Sequence, residues 1–254
     1  MAITRHPFQG VSNILRFNRH FYFWSIGSIF FLLLLTNFAN SLFKLFLLIF
    51  VLLIFLSTAI SICVSYYVYD LSGFYKLSWI DHLPTAEKRT IININAGFDE
   101  TSMFLKAMFV YDELIVLDFY NPLKHTEVSI KRARQAYPIF PGTISVRTES
   151  LPLLDNSADK IFVIFAAHEI RNEQERINFF KELKRVLKPK GQIFLIEHLR
   201  DSANFLAFNI GFYHFYSRRN WRKIITSAQL YIVNEKKFTS LISIFTITNN
   251  GISS

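Results

Sequence analysis

Two histidines stand where this chain could move a proton. His168 occurs in Ala167-His168-Glu169 and His198 follows Glu197, each just beyond an apolar run that reads as a strand, Ile161 to Phe165 and Gln192 to Ile196. Imidazole, with an unperturbed pKa of about 6.5, accepts or gives a proton near neutrality. Each ring also reads as a structural partner for a carboxylate or a backbone group. A second set of residues suits a nucleotide. Ile91 to Pro122 reads as a buried strand, a tight turn at Gly97, a helix and a second strand ending in Asp118. A glycine that lets backbone approach a ligand, followed about twenty residues later by an acid at a strand end, is how a crossover unit holds a nucleotide.

The elements that must position these groups alternate. Runs rich in β-branched and aromatic residues, Ile91 to Ile94, Leu114 to Leu117, Ile144 to Val146, Ile161 to Phe165 and Gln192 to Ile196, are separated by helix-like stretches at Thr101 to Val110, Glu127 to Tyr137 and Glu173 to Leu187. Such alternation predicts an α/β domain with a Rossmann-like parallel sheet between helical layers. Beyond it the spacing predicts a long aromatic helix from Asn204 to Tyr216, a helix around Asn220 to Ala228, and an antiparallel pair of strands, Tyr231 to Phe238 and Leu241 to Thr248. Phe205, Phe208, Phe212 and Phe215 fall on one helical stripe, either core packing or an apolar wall for a lipid-like acceptor.

Two further segments carry a family likeness: LPLLDNSADKIFVIFAAHEI at 151–170 and ELKRVLKPKGQIFLIEHLRD at 182–201. From about Tyr69 onward the chain resembles the class I S-adenosylmethionine-dependent methyltransferases of the quinone-methylase and small-molecule type. In that group a Leu-Pro run ending in Ser-x-Asp precedes strand four, and an Arg-x-Leu-x-Pro-x-Gly turn, here Arg185, Leu187, Pro189 and Gly191, leads into strand five. The turn has a physical basis, because proline and glycine stop a helix and let the chain reverse. A closing antiparallel pair also favours this family over nicotinamide dehydrogenases.

The resemblance implies S-adenosyl-L-methionine as cofactor and gives the nucleotide residues their roles. Asn93 takes the place of the family acid that orients the methionine amino group, Asn95 and Gly97 form the glycine loop, and Asp118 accepts from the ribose hydroxyls. Phe119 or Tyr120, with Arg147 or Thr148, adjoins the adenine. The loop departs from the Gly-x-Gly-x-Gly pattern, since Asn95 and Asp99 replace its outer glycines. His168 and His198 become the candidate bases for the acceptor.

Composition splits the chain. Roughly the first 70 of 254 residues are almost wholly apolar, and the remainder resembles an ordinary soluble protein. Phe21 to Phe38 and Leu45 to Tyr67 are each long enough, at roughly 20 residues, to cross a hydrocarbon core of about 30 Å. A short polar turn at Asn37 to Ser41 joins them. The predicted organisation is a basic cytoplasmic N-terminus (1–20), a transmembrane helical hairpin (21–68) and the methyltransferase domain (69–254). Arg5, Arg16 and Arg19 before the hairpin, and Lys76, Lys88 and Arg89 after it, put both ends in the cytoplasm. Tyr66, Tyr67 and Tyr69 read as interfacial aromatics, and Pro84 as the end of a linking helix.

The net charge of +9 suits an anionic bilayer, and no zinc finger or RNA-binding aromatic motif points to nucleic acid. The single cysteine, Cys63, excludes an internal disulfide. No phosphate loop, zinc-protease helix, nucleophile elbow or His/Cys ligand set appears, so the expectation for metal is none. The reading that follows is a membrane-anchored methyltransferase acting on a quinone, phenolic lipid or phospholipid headgroup. Its rival is a non-catalytic, membrane-tethered interaction module with the same fold.

Overall fold

A computed structural model describes residues 5–80 and 87–250 of the chain; Pro84 lies outside the described residues. The expected alternation is present. Strands β1 (Thr90–Asn95), β2 (Glu113–Asp118), β3 (Ile144–Ser145), β4 (Ala158–Ile164), β5 (Leu187–His198), β6 (Tyr231–Lys237) and β7 (Ile242–Thr248) form one sheet in the order β3-β2-β1-β4-β5-β7-β6. β1 to β5 are parallel, and β7 runs antiparallel between β5 and β6.

The strand sequences explain the layers. In β4, Ile161 and Val163 enter one core while Phe162 and Ile164 enter the other; in β5, Ile193 and Leu195 alternate in the same way with Phe194 and Ile196. A parallel strand covered on both faces needs this unbroken apolar run. One face is covered by α6 (Glu173–Val186) and α8 (Arg218–Ser227), through Phe179, Phe180 and Leu183 and through Trp221 and Ile224. Each such burial stabilises by roughly 1.5–3 kcal/mol. α6 starts where the Asn172 side chain accepts from the Glu175 N–H at 2.9 Å, and its last turn carries Lys184 and Arg185. The other face is covered by α4 (Ser102–Met108), α7 (Ser202–Phe208) and the segment around Phe74, Leu77 and Trp79.

Two local expectations are corrected. The reversal predicted at Pro189 and Gly191 is a bulge inside β5, where residues 188–191 loop out between the Ala158–Leu187 and Lys160–Gln192 pairings. Gly191 is required there, because a Cβ would meet the Ala158 carbonyl oxygen at 2.9 Å and the Leu187 side chain at 2.7 Å. The long aromatic helix is also interrupted. α7 ends at Phe208, Asn209 takes φ 52°, and a 3-10 turn covers Asn209–His214. Phe208 and Phe215 then turn inward together, with ring centroids 5.7 Å apart, while Phe205 stays half-exposed beside Phe212.

At the N-terminal end, α2 (Arg19–Leu35) and α3 (Ser41–Tyr66) form a hairpin through a 3-10 turn at Thr36–Phe38. Asn40 caps α3 by accepting from the Phe43 N–H at 2.9 Å. Both helices are long and apolar enough to cross a membrane, and Phe23, Trp24, Phe30, Phe50, Leu53 and Phe55 all project outward. The basic N-terminus is more than a tail. α1 (Gln9–Phe17) lies against the globular domain: the Gly10 and Val11 N–H groups donate to Asp70 at 2.8 Å, and Tyr137 Oη donates to Asn13 at 2.8 Å.

Glu100, just after the glycine loop, gathers this junction. Its carboxylate accepts from Arg5 (3.0 Å), Gln9 (3.2 Å), Asn13 (3.0 Å) and Tyr75 Oη (2.9 Å), and the Arg5 and Glu100 side chains are only 12% and 11% exposed. Removing a buried carboxylate leaves its donors unpaired. Glu100→Ala should therefore lower stability by about 3 kcal/mol, read as a reduced unfolding midpoint in detergent with faster amide exchange in α1; an unchanged midpoint would show that the junction contributes little.

Candidate functional site

The glycine loop begins where β1 ends. Gly97 takes φ +97°, a conformation that L side chains rarely adopt, and its N–H donates to Asn95 Oδ1 at 3.0 Å. Asp99, in place of the last family glycine, accepts from the Thr101 and Ser102 N–H groups through Oδ1, both at 2.9 Å. Asn93 donates to Ser102 Oγ at 2.8 Å and Thr101 Oγ1 at 3.1 Å. Two acceptors here, Asn93 Oδ1 and Asp99 Oδ2, are buried without a hydrogen-bond partner. Buried acceptors of this kind are costly unless a donor meets them, and the ammonium of a methionine moiety is such a donor. The residues therefore fit the amino-acid end of S-adenosylmethionine.

Asp118 ends β2 beside Asn95, as a ribose acceptor must. Its carboxylate is already engaged: Oδ2 accepts from Arg134 Nη1 at 2.5 Å and Oδ1 from the Tyr120 N–H at 2.8 Å. The Arg134 guanidinium also lies over the Tyr120 ring at 4.4 Å, and that ring covers Gly97. The remaining cavity, bounded by Gly97, Asp118, Arg134 and Tyr137, is ≈ 20 Å³, about the room one water needs. Arg134 and Tyr120 thus fill the space beside Asp118 and Gly97. Phe119 and Thr148 lie elsewhere. Phe119 is buried against Phe179, because the strand's alternation turns it into the core, and Thr148 donates to Glu175 at 2.6 Å. Tyr120 is the ring beside the loop.

The two histidines meet opposite environments. His198 is buried, its Nδ1 lies 3.0 Å from the Leu241 carbonyl, and its Nε2 lies 2.9 Å from Tyr69 Oη. A carbonyl only accepts, so Nδ1 carries the proton and Nε2 accepts from the tyrosine. Burial holds the His198 pKa down to about 4, so it is a neutral ring whose lone pair addresses Tyr69. The sequence gives Tyr69 as an interfacial ring; its pairing with His198 links residues 129 positions apart. No local signal marks that.

Burial alone would also lower the pKa of His168, but the charge of Glu197 and hydrogen bonds to Glu169 and Glu197 outweigh it and raise it to about 10. Its Nδ1 is 2.7 Å from Glu197 Oε2, and its N–H donates to Glu197 Oε1 at 3.2 Å. As an imidazolium it has no free lone pair for a proton at neutral pH. His168 Nε2 faces Glu169 at 3.3 Å, and Glu169 also meets His214 Nε2 at 3.1 Å. Burial works against the Glu169 charge, yet the two imidazoles hold its pKa well below the usual carboxylate range.

These groups share a cavity of ≈ 1000 Å³. Its floor is the carboxyl edge of the sheet, with Asn95 at the end of β1, Ala96 after it, Phe165 after β4 and His198 at the end of β5; Phe208 and Phe215 form one wall and Phe17 of α1 another. Its far end lies between the hairpin helices, where Ser25 and Ser28 of α2 face Ser57, Thr58 and Ser61 of α3. These small hydroxyl residues leave a groove in helices that are otherwise apolar all round. Ile54 also lines it, twelve residues before the end of α3, so the cavity penetrates about 18 Å of helix.

Comparison with known proteins agrees with this fold. Residues 110–195 match the family model described as a methyltransferase domain. A curated relative, the ubiquinone/menaquinone biosynthesis C-methyltransferase UbiE of Geotalea daltonii, is 33% identical over 92 residues, which is 35% of this chain and 37% of the relative's length. The chain thus matches little more than a third of that relative. Among solved structures, the PH0226 protein of Pyrococcus horikoshii superposes with a TM-score of 0.51 at 13% identity, covering 72% of this chain and 91% of that one. A chain from the complex of the Haloferax volcanii Trm112 methyltransferase activator with a methyltransferase gives 0.50 at 14% identity, covering 71% and 90%. At such identities the likeness is one of fold.

The His198 environment sets a pH dependence. An unfolded histidine protonates below about 6.5, whereas the native ring stays neutral to about 4. The unfolded state therefore binds the extra proton between these values, and stability falls as pH drops through that window, by about 3 kcal/mol in all. His198→Gln should remove this part of the acid limb in unfolding midpoints recorded from pH 7 to pH 4. Parallel curves for the two proteins would exclude a buried neutral His198.

Proposed function

We propose that the chain uses a class I methyltransferase domain at a membrane surface to methylate an apolar or amphiphilic small molecule. The observation that carries the reading is the ≈ 1000 Å³ cavity, which joins the carboxyl edge of the sheet to the groove between the hairpin helices. Ligands of open parallel sheets sit at that edge. An acceptor with an apolar tail can keep the tail between the helices while its head reaches the sheet. Anchoring also raises its local concentration. UbiE, by its name a C-methyltransferase of ubiquinone/menaquinone biosynthesis, supports a quinone or phenolic head.

S-adenosylmethionine, when bound, supplies an electrophilic methyl group on its sulfonium. Asn93 and Asp99 would hold its ammonium, the Gly97 backbone would lie against it, and Asp118 would take the ribose hydroxyls in place of Arg134. Tyr69, with its hydroxyl on His198 and its ring in the cavity wall, is placed to receive a proton from the acceptor and pass one to Nε2. The protein's further part is alignment and exclusion of water. Arg5, Arg16 and Arg19 at one end of the hairpin and Lys76 at the other favour both ends on the cytoplasmic side.

The Asp118–Arg134 pair gives the rival, a tethered scaffold with a closed cofactor site, its own support. Calorimetric titration with S-adenosylhomocysteine in detergent separates the two. Micromolar binding that Asp118→Ala weakens at least tenfold is the expected result, and no binding to either protein would leave the scaffold. Alkaline carbonate should leave the chain in the membrane pellet; its release would remove the anchor.

A further inference from the structure

His168, Glu169 and His214 converge on one point of the cavity wall. One ligand atom from each lies within 4.8 Å of the others. Glu169 Oε1 is 3.3 Å from His168 Nε2 and 3.1 Å from His214 Nε2. Metal–ligand bonds of 2.0–2.1 Å at tetrahedral angles place neighbouring ligand atoms about 3.4 Å apart, so the two edges through Glu169 match a coordination polyhedron and the third, within 4.8 Å, closes on it with a small side-chain shift. The outer contacts match as well. His168 presents Nδ1 to Glu197 at 2.7 Å and His214 presents Nδ1 to Glu127 at 2.8 Å. A carboxylate on the far nitrogen fixes the tautomer that leaves Nε2 for a cation and strengthens it as a ligand.

We propose that His168, Glu169 and His214 bind a divalent transition-metal cation, zinc or a close relative, with a coordination position open to the cavity. Two imidazoles and one carboxylate form a ligand set that suits zinc and leaves room for a further ligand. On binding, the proton on His168 Nε2 leaves to solvent and the nitrogen lone pair takes the metal. The sequence conceals the site because its third ligand comes from the 3-10 turn after α7, 45 residues from Glu169. Resting on the methyltransferase reading, the cation would hold a phenolic or hydroxyquinone oxygen of the acceptor and favour its deprotonated form. One group opposes it: Arg171 Nη2 lies 2.8 Å from His214 Nε2, the nitrogen the cation would take, and the guanidinium also meets His214 Nδ1, the His214 carbonyl and Glu127, 4.0 Å from Glu169. The cation must displace it, and with its side chain 42% exposed solvent is there to receive it.

The test uses the full chain in detergent, free of any affinity tag and stripped with chelator. Titration with zinc chloride should show one equivalent bound with micromolar or tighter affinity, and cobalt(II) should give the visible absorption bands of a nitrogen- and oxygen-ligated site. His168→Ala and His214→Ala should each weaken zinc at least thirtyfold, and Glu127→Gln about tenfold. His214 lies on a partly exposed turn, so its variant is the one that keeps the fold, checked by circular dichroism. Arg171→Ala should tighten zinc several-fold. Wild-type binding no tighter than that of the His168→Ala/His214→Ala double variant, or weaker binding in Arg171→Ala, would overturn the proposal. A parallel titration with S-adenosylhomocysteine reads the cofactor site by itself, so loss of one reading leaves the other standing.

Discussion

A parallel strand buried on both faces has room for charge only at its ends, and this constraint organises the molecule. β4 and β5 fill two cores with alternating isoleucine, leucine, valine and phenylalanine, and the next ionisable groups along the chain are His168 and Glu169 beyond β4 and Glu197 and His198 at the end of β5. At that edge the groups must satisfy one another. Glu197 is fully buried, which is tenable because His168 meets it through both Nδ1 and the backbone N–H. The opposite states of the two histidines follow: the one facing carboxylates holds its proton, and the one packed among Phe165, Phe208 and Phe215 stays neutral.

The same edge is where the apolar N-terminal helices meet the domain. α3 passes through a π-helical turn, Tyr67–Leu71, which delivers Val68 to the core, Tyr69 to His198 and Asp70 to α1. One short segment thus ties the hairpin, α1 and His198 together. Glu100 does the same from the other side, linking the glycine loop to α1. The cavity exists because these ties hold the helices off the sheet edge while serines and a threonine, rather than leucines, line the space between α2 and α3.

Much of the architecture was legible in advance. Alternating strand and helix patterns, the terminal strand pair and the two long apolar runs are properties of periodicity and composition, and each element appears within a few residues of its expected place. Asp118, Gly97 and the two histidines were legible as well, since strand ends can be read from the runs that precede them. Orientation was less so. Phe119 follows Asp118 by one residue and therefore faces the opposite layer, and Asn209 breaks a helix that its phenylalanine spacing suggested would continue. The pairings of Tyr69 with His198 and of His214 with Glu169 gave no local signal, because the partners lie 129 and 45 residues apart.

The sequence by itself determined the sheet, its helical layers, the apolar hairpin and the positions of the strand-end acids and histidines, because hydrophobic period and turn chemistry act over a few residues. Only the tertiary structure decided which histidine is charged, that Arg134 occupies Asp118, that α1 closes over the glycine loop, and that His214 joins His168 and Glu169. Those outcomes depend on distance and burial between remote segments, and both are set only when the chain has packed.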